Sequence, residues 1–195
     1  MAGKTRFEMI KERHSKTYLQ ALKQGKVDPQ IESLCSFIEK TENYYTSSSC
    51  SGRIMFLEKT GEKKKENNFH RRWHRTITKE ELIEGINEKA KGTLWFKLEP
   101  FILHIGCANL ENANTILECM KKAGVKRGGI IVAEKEKFII ELQGTGRMEF
   151  IAKEKNKQLP TNEYLEKALE TANPLLEKNY ERLEKLEKEF RKKLN

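Results

Sequence analysis

No apolar run in the 195 residues approaches the roughly 20 that a membrane-spanning helix needs, so a helical membrane protein is excluded. The amino terminus, Met1-Ala2-Gly3-Lys4-Thr5-Arg6, leads into an amphipathic charged stretch and not an uninterrupted apolar one, so no secretory leader is expected. Cysteine is sparse, and Cys35, Cys50, Cys107 and Cys119 show no Cys-x-x-Cys spacing. Reduced thiols in a lysine-rich chain point to a cytoplasmic protein. No glycine-rich dinucleotide fingerprint follows a strand, and no Gly-Lys-Ser/Thr phosphate loop occurs. Gly144-Thr145-Gly146-Arg147 follows a strand pattern but precedes no helix, which reads as a turn. His70 and His74 stand four apart without a cysteine or carboxylate pair of matching ligand spacing, so no metal site is expected.

Positive charge, by contrast, is abundant and clustered, with a net value of +9. Residues 1–26 hold seven Lys/Arg against two Glu, residues 61–79 again hold seven against two, and the remainder is close to neutral. Localised cations near aromatic residues point to a polyanionic partner such as nucleic acid; the alternative is the solvated faces of a soluble protein.

Hydrophobic spacing predicts a helix over 5–24, ended by Gly25, and a second one capped by Asp28 with Pro29 at its first position. Strands are expected over 52–59, near 69–75, over 93–99 and 101–108 around Pro100, at 130–132, 137–142 and 147–152. Thr78 with Glu81 forms a capping box for a helix to residue 89, and another helix runs over 112–123. This is an α+β fold: a mixed or antiparallel sheet from repeated strand-strand-helix units, flanked by N-terminal helices and a long C-terminal helix. The strand–helix alternation of a doubly wound parallel sheet is absent. One domain over 1–195 is expected, with N-terminal helices over 1–43, an α+β core over 44–160 and the C-terminal helix over 161–195, kinked or divided near Pro174.

Two features carry chemistry. Tyr44-Tyr45-Thr46-Ser47-Ser48-Ser49-Cys50-Ser51-Gly52-Arg53-Ile54 is too rich in small hydroxyls for a core segment. It reads either as a tight loop offering hydroxyls, amides and a guanidinium to a phosphate or carboxylate, or as an ordinary turn between strands. His104 lies one residue off the Phe101/Leu103/Ile105 alternation and faces the opposite side. It is either a hydrogen-bonded interior histidine or, given a suitable neighbour, a functional one.

Together with Trp73-His74, Phe96-Lys97-Leu98-Glu99-Pro100-Phe101-Ile102-Leu103-His104 and the basic first helix, the serine-rich motif resembles the wybutosine-synthesising protein 3 family. The resemblance covers nearly the whole chain, including Gly124-Val125-Lys126-Arg127-Gly128-Gly129-Ile130 and Ala172-Asn173. It departs at Val125, where the family tends to carry an aromatic residue, and at Gln143-Gly144-Thr145, where Arg-Ser-Thr is commoner.

The resemblance implies an S-adenosylmethionine-dependent methyltransferase that is not built on the Rossmann fold. It would methylate a ring nitrogen, N4, of the tricyclic guanine-derived base 3′ of the anticodon in phenylalanine tRNA. On that expectation Ser48, Ser49, Ser51 and Arg53 hold the cofactor, and His74, His104 or Glu99 accepts the departing proton. Trp73 offers a stacking face, while Lys63, Lys64, Lys65, Arg71, Arg72 and Arg75 grip the anticodon stem-loop backbone. A non-enzymatic RNA-binding protein is the competing expectation, and a monomer and a homodimer both remain open.

Overall fold

The computed structural model describes residues 3–63 and 66–194. Two helices open the chain, α1 (Arg6–Lys23) and α2 (Pro29–Lys40), followed by β1 (Tyr44–Cys50), β2 (Arg53–Lys59), β3 (Asn67–Trp73) and α3 (Lys79–Asn87). Next come β4 (Thr93–Glu99), β5 (Ile102–Cys107), α4 (Leu110–Lys122), β6 (Arg127–Glu134) and β7 (Lys137–Gln143). Strand β8 (Met148–Glu154), the two-residue β9 (Lys157–Gln158) and the 32-residue α5 (Asn162–Lys193) complete the order. None of the described helices is long and apolar enough to cross a membrane.

The chain divides into two compact units. The first comprises Met1–Ser51, Phe101–Thr145 and Tyr180–Asn195; the second comprises Gly52–Pro100 and Gly146–Asn179. The first unit carries a four-stranded sheet of order β1-β5-β7-β6, and the second a five-stranded sheet of order β3-β2-β4-β8-β9. Among the described residues every pairing is antiparallel and no doubly wound sheet occurs, so the α+β expectation holds. The elements follow the expected strand-strand-helix order, but β4 and β5 pair into different sheets, as do β1 and β2.

Local sequence explains most boundaries. The Thr5 hydroxyl accepts from the Glu8 amide at 3.2 Å while the Glu8 carboxylate accepts from the Thr5 amide at 2.7 Å, a capping box that starts α1. Thr78 and Glu81 do the same for α3. Asp28 occupies the N-cap position of α2 but makes no side-chain cap bond. Its Oδ2 instead accepts from the Ser51 amide at 2.8 Å, so a residue expected to serve its own helix anchors the end of the serine motif.

The serine-rich run itself is not a loop. Residues Tyr44–Cys50 form a strand because β5 supplies backbone partners all along it, and main-chain pairing tolerates small polar side chains. Only Ser51 and Gly52 lie between β1 and β2, with Gly52 at φ 97, a region glycine enters without a Cβ clash. Helix α5 runs through Pro174 as one element and is not divided there. Asn173 beside it clamps the Ile77 backbone, accepting from its N–H at 3.1 Å and donating to its carbonyl at 2.9 Å.

The first unit's core joins Ile31, Leu34 and Ile38 of α2, Leu103, Ile105, Ile140 and Leu142 of the sheet, Ile116 of α4 and Leu183, Leu186 and Phe190 of α5. On the opposite face of that sheet, Phe7 packs with Tyr45 and Ile139. At its rim β6 is an edge strand with a bulge at Ile131, between the Ile130–Ile140 and Val132–Ile139 pairs. In the second unit Ile54, Phe56, Leu94, Phe96 and Leu98 point to one face and are fully buried. A Cβ on Gly85 of α3 would lie 2.8 Å from the Phe56 ring, and Phe150 of β8 meets Tyr164 of α5 edge-on, so helices cover that face.

Candidate functional site

In the first unit the register builds a polar row. The shift between Thr46 and Ser48 makes Ser47 a bulge residue, after which Ser48 pairs with His104 and His104 pairs with Glu141. The His104 Nε2 lies 2.8 Å from a Glu141 carboxylate oxygen, with the two side chains 23% and 32% exposed. Beyond Glu141 stands Gly129, whose position has open space where a Cβ would be. The histidine is therefore no sealed core residue: it has a carboxylate neighbour and is reachable. A carboxylate on one ring nitrogen fixes the imidazole's orientation, which a residue that handles a proton needs.

The three serines expected to act together do not share a face. Ser48 is exposed beside His104, whereas Ser49 pairs with inward-facing Leu103 and hydrogen-bonds the buried Cys35 thiol. Ser51 is wholly buried. Near that end of the motif, burial, with the Asp28 carboxylate nearby, pushes the Tyr180 hydroxyl pKa up.

Ser47, Ser48 and Ser49 also line a recess of about 170 Å³ with His14, Thr17, Tyr18 and Lys26. A neighbouring recess of about 500 Å³ shares His14 and Ser47 and adds Arg13, Tyr45 and Lys137. His14 stacks on Tyr45 at 5.0 Å with the rings nearly parallel. Burial, reinforced by the Arg13 charge, lowers the His14 pKa, and burial pushes the Tyr45 hydroxyl up to about 12. His14 lies in α1, within the helix that sequence spacing predicts. Its role as a recess wall appears once β1 is recognised as a strand.

In the second unit Arg53 and Glu99 stand directly opposite on β2 and β4. Arg53 Nε and Nη2 both donate to Glu99 Oε2, at 3.0 and 2.7 Å. The guanidiniums of Arg53 and Arg72 lie 4.8 and 4.9 Å from the Phe69 ring centroid. Trp73 is half-buried, edge-on to Phe56 at 6.2 Å, and His74 follows it, also half-buried. Arg71 is engaged by Glu84 and Glu88, and Arg75 by Glu81, so two of the expected phosphate grips are already ion-paired. Lys63 is exposed, while Lys64 and Lys65 lie outside the described residues. The expected site residues thus form two local pairs, Ser48 with His104 and Arg53 with Glu99. Glu141, His14 and Phe69 are polar or aromatic neighbours that sequence spacing did not single out.

A family model described as Methyltransferase TYW3 matches residues 5–192. The chain is 35% identical over 182 residues to a Pyrococcus horikoshii protein named tRNA(Phe) 7-((3-amino-3-carboxypropyl)-4-demethylwyosine(37)-N(4))-methyltransferase 1, a match covering 93% of each chain. It is 32% identical over 167 residues to the tRNA wybutosine-synthesizing protein 3 homolog of Danio rerio, covering 84% of this chain and 66% of that one. A solved structure of a Pyrococcus horikoshii protein superposes with a TM-score of 0.88 at 34% identity, covering 93% of this chain and 94% of that one. A hypothetical protein from Aeropyrum pernix superposes at 0.71 with 25% identity, covering 85% and 98%. The match runs through both units and every motif described above, and the chain belongs to the TYW3 methyltransferase family.

Proposed function

We propose that this protein transfers a methyl group from S-adenosylmethionine to the N4 ring nitrogen of the tricyclic wyosine-type base 3′ of the anticodon in phenylalanine tRNA, acting in the cytoplasm. The observation that carries this reading is the 35% identity to the Pyrococcus horikoshii methyltransferase over 93% of both chains. When bound, S-adenosylmethionine supplies an electrophilic methyl on a sulfonium, so a sulfur–carbon bond breaks, a nitrogen–carbon bond forms and one proton leaves the ring nitrogen.

The chain's residues are suited to that chemistry. His104 accepts the proton, and Glu141 orients the imidazole and balances the charge it gains. The exposed Ser48 hydroxyl, next across the strands, hydrogen-bonds a polar edge of a reactant. The donor set of the adjoining recess fits the cofactor in kind: a flat imidazole in His14 for an adenine, hydroxyls from Thr17 and Ser47, and the Lys26 ammonium for a carboxylate. Arg53, held by Glu99, serves an anion. Trp73, Arg72 and the lysines of residues 63–65 serve the anticodon stem-loop. Most of the rate gain comes from aligning the reacting atoms.

The test is calorimetry with the cofactor, then incubation with methyl-labelled cofactor and precursor-bearing phenylalanine tRNA, followed by mass spectrometry of the nucleosides. One added CH2 on the tricyclic base is expected. Heat of cofactor binding with no label in tRNA would reject the substrate, and neither heat nor label would reject the reading as a whole.

A further inference from the structure

In the second unit, strand pairing assembles a row of side chains on the sheet face opposite the one that α3 and α5 cover. Leu57 of β2 pairs on one side with Phe69 of β3 and on the other with Trp95 of β4, which in turn pairs with Ile151 of β8. Phe69–Leu57–Trp95–Ile151 is thus a continuous apolar row across four strands. It is not core. Phe69 is 50% and Ile151 36% exposed, and Leu57 and Trp95 are half-buried. The interstrand spacing puts the Phe69 and Trp95 positions roughly 10 Å apart, so the face offers two separate rings.

Cations flank this row on both sides. Met55, two residues before Leu57, pairs with Arg72 and with Lys97, so Arg72 and Lys97 lie one step away along the strands. Two residues after Leu57 comes Lys59, whose Nζ sits 4.4 Å from the Trp95 ring centroid. Arg53 and Arg72 approach the Phe69 ring within 5 Å. The only acids among these positions are Glu99, taken by Arg53, and Glu149, taken by Lys97. Among the described residues Lys59 and Arg72 make no ion pair, so the face keeps a net positive charge.

Rings on an antiparallel sheet face, bordered by cations that no carboxylate holds, match a particular ligand. Unpaired bases have flat faces to stack on Phe, Trp and guanidinium planes, and their phosphates meet the flanking charges. In a duplex the bases are stacked inside and cannot reach such rings. An acidic peptide would use the cations but leave the ring faces idle. We propose that this sheet face is a stacking platform for unpaired bases of the RNA substrate, with Phe69 and Trp95 as the rings and Arg72 and Lys59 as the phosphate partners. The proposal rests on the reading above that the substrate is a tRNA and assigns where its single-stranded loop is held.

The experiment titrates wild-type protein and the Phe69→Leu, Trp95→Leu and Arg72→Ala variants with a fluorescently labelled phenylalanine tRNA anticodon stem-loop. A blunt RNA duplex of equal length and an acidic peptide serve as competitors, and affinity is measured across a salt series. Leucine keeps apolar bulk and removes only the ring, and matching unfolding midpoints establish that each variant is folded. Both ring variants should bind the stem-loop on the order of ten-fold more weakly with an unchanged salt slope. Arg72→Ala should weaken binding and reduce the slope by about one. In a Trp73→Phe background the remaining Trp95 fluorescence should be quenched by unlabelled stem-loop and not by the duplex. Wild-type binding of the stem-loop with all variants within two-fold would overturn the platform alone. Competition by the acidic peptide as strong as by RNA would overturn it in favour of a protein partner. No wild-type binding of the stem-loop would overturn the tRNA reading itself.

Discussion

His104 and Glu141 face each other across neighbouring antiparallel strands, their side chains 2.8 Å apart at a register position that leaves both partly open to solvent. If His104 takes the reaction's proton, His104→Ala should lower kcat by about 10²–10⁴ with little change in the affinity for cofactor. Glu141→Gln should lower kcat less, because the ring survives with only its orientation and charge balance disturbed. Steady-state kinetics on precursor-bearing tRNA decide this; a His104→Ala enzyme within three-fold of wild type removes the pair from the chemistry.

The Arg53–Glu99 pair can be tested by a double-mutant cycle. Exposed ion pairs contribute little, but this one is mostly shielded and directs two N–H groups onto one oxygen, which places its coupling near the top of the surface range, about 1 kcal/mol. Arg53→Ala and Glu99→Gln should each lower Tm by about 2–4 °C, and the double variant by less than their sum. The Arg53→Ala protein should fold and still lose turnover. Full additivity would mean the pair contributes no coupling.

Gly106 is a packing test of the same sheet. A Cβ there would stand 2.0 Å from the Tyr45 ring, which lies across the glycine from the paired strand. Gly106→Ala should therefore cost about 1–3 kcal/mol or more, measured by urea unfolding. Gly129→Ala, which meets open space, should change stability by less than about 0.5 kcal/mol. Equal effects at the two sites would contradict the Tyr45 placement.

The Glu81 carboxylate is drawn down to about 2, first by its hydrogen bonds with Arg75 and then by the Thr78 backbone. Its folded pKa lies below its unfolded one, so the stability it provides is present above about pH 4.5 and is lost as pH falls toward 2. The Tm gap between wild type and Glu81→Gln should accordingly be full at pH 6 and close by pH 2. A gap that persists unchanged at pH 2 would assign the effect to the cap hydrogen bond and not to the charge.

Several of these features were legible in the sequence because their causes are local. The Thr5–Glu8 and Thr78–Glu81 boxes need only three-residue spacing, and Leu103, Ile105, Ile140 and Leu142 declare an inward face by alternation. The serine run misled because composition describes a segment's polarity and not its partners. Only β5, more than fifty residues away, makes it a strand. For the same reason His104 was visible as an oddity but its meaning was not, since Glu141 lies on a strand paired through long-range register. Phe69 was hidden among histidines and arginines, where charge drew attention away from a ring. Asp28 shows the converse: a residue with a strong local preference was claimed by the distant Ser51 amide instead.

The rim of the first unit's sheet carries a further consequence. Ile130 and Ile131 are both exposed on β6, a combination that elsewhere invites another molecule to add a strand and begin a fibril. The kink at Ile131 breaks the even ladder such an intruder would need, and Gly128, at φ 138, adds a second irregularity three residues earlier. Straightening that rim, by deleting Ile131 for example, would trade a harmless greasy border for a template for aggregation.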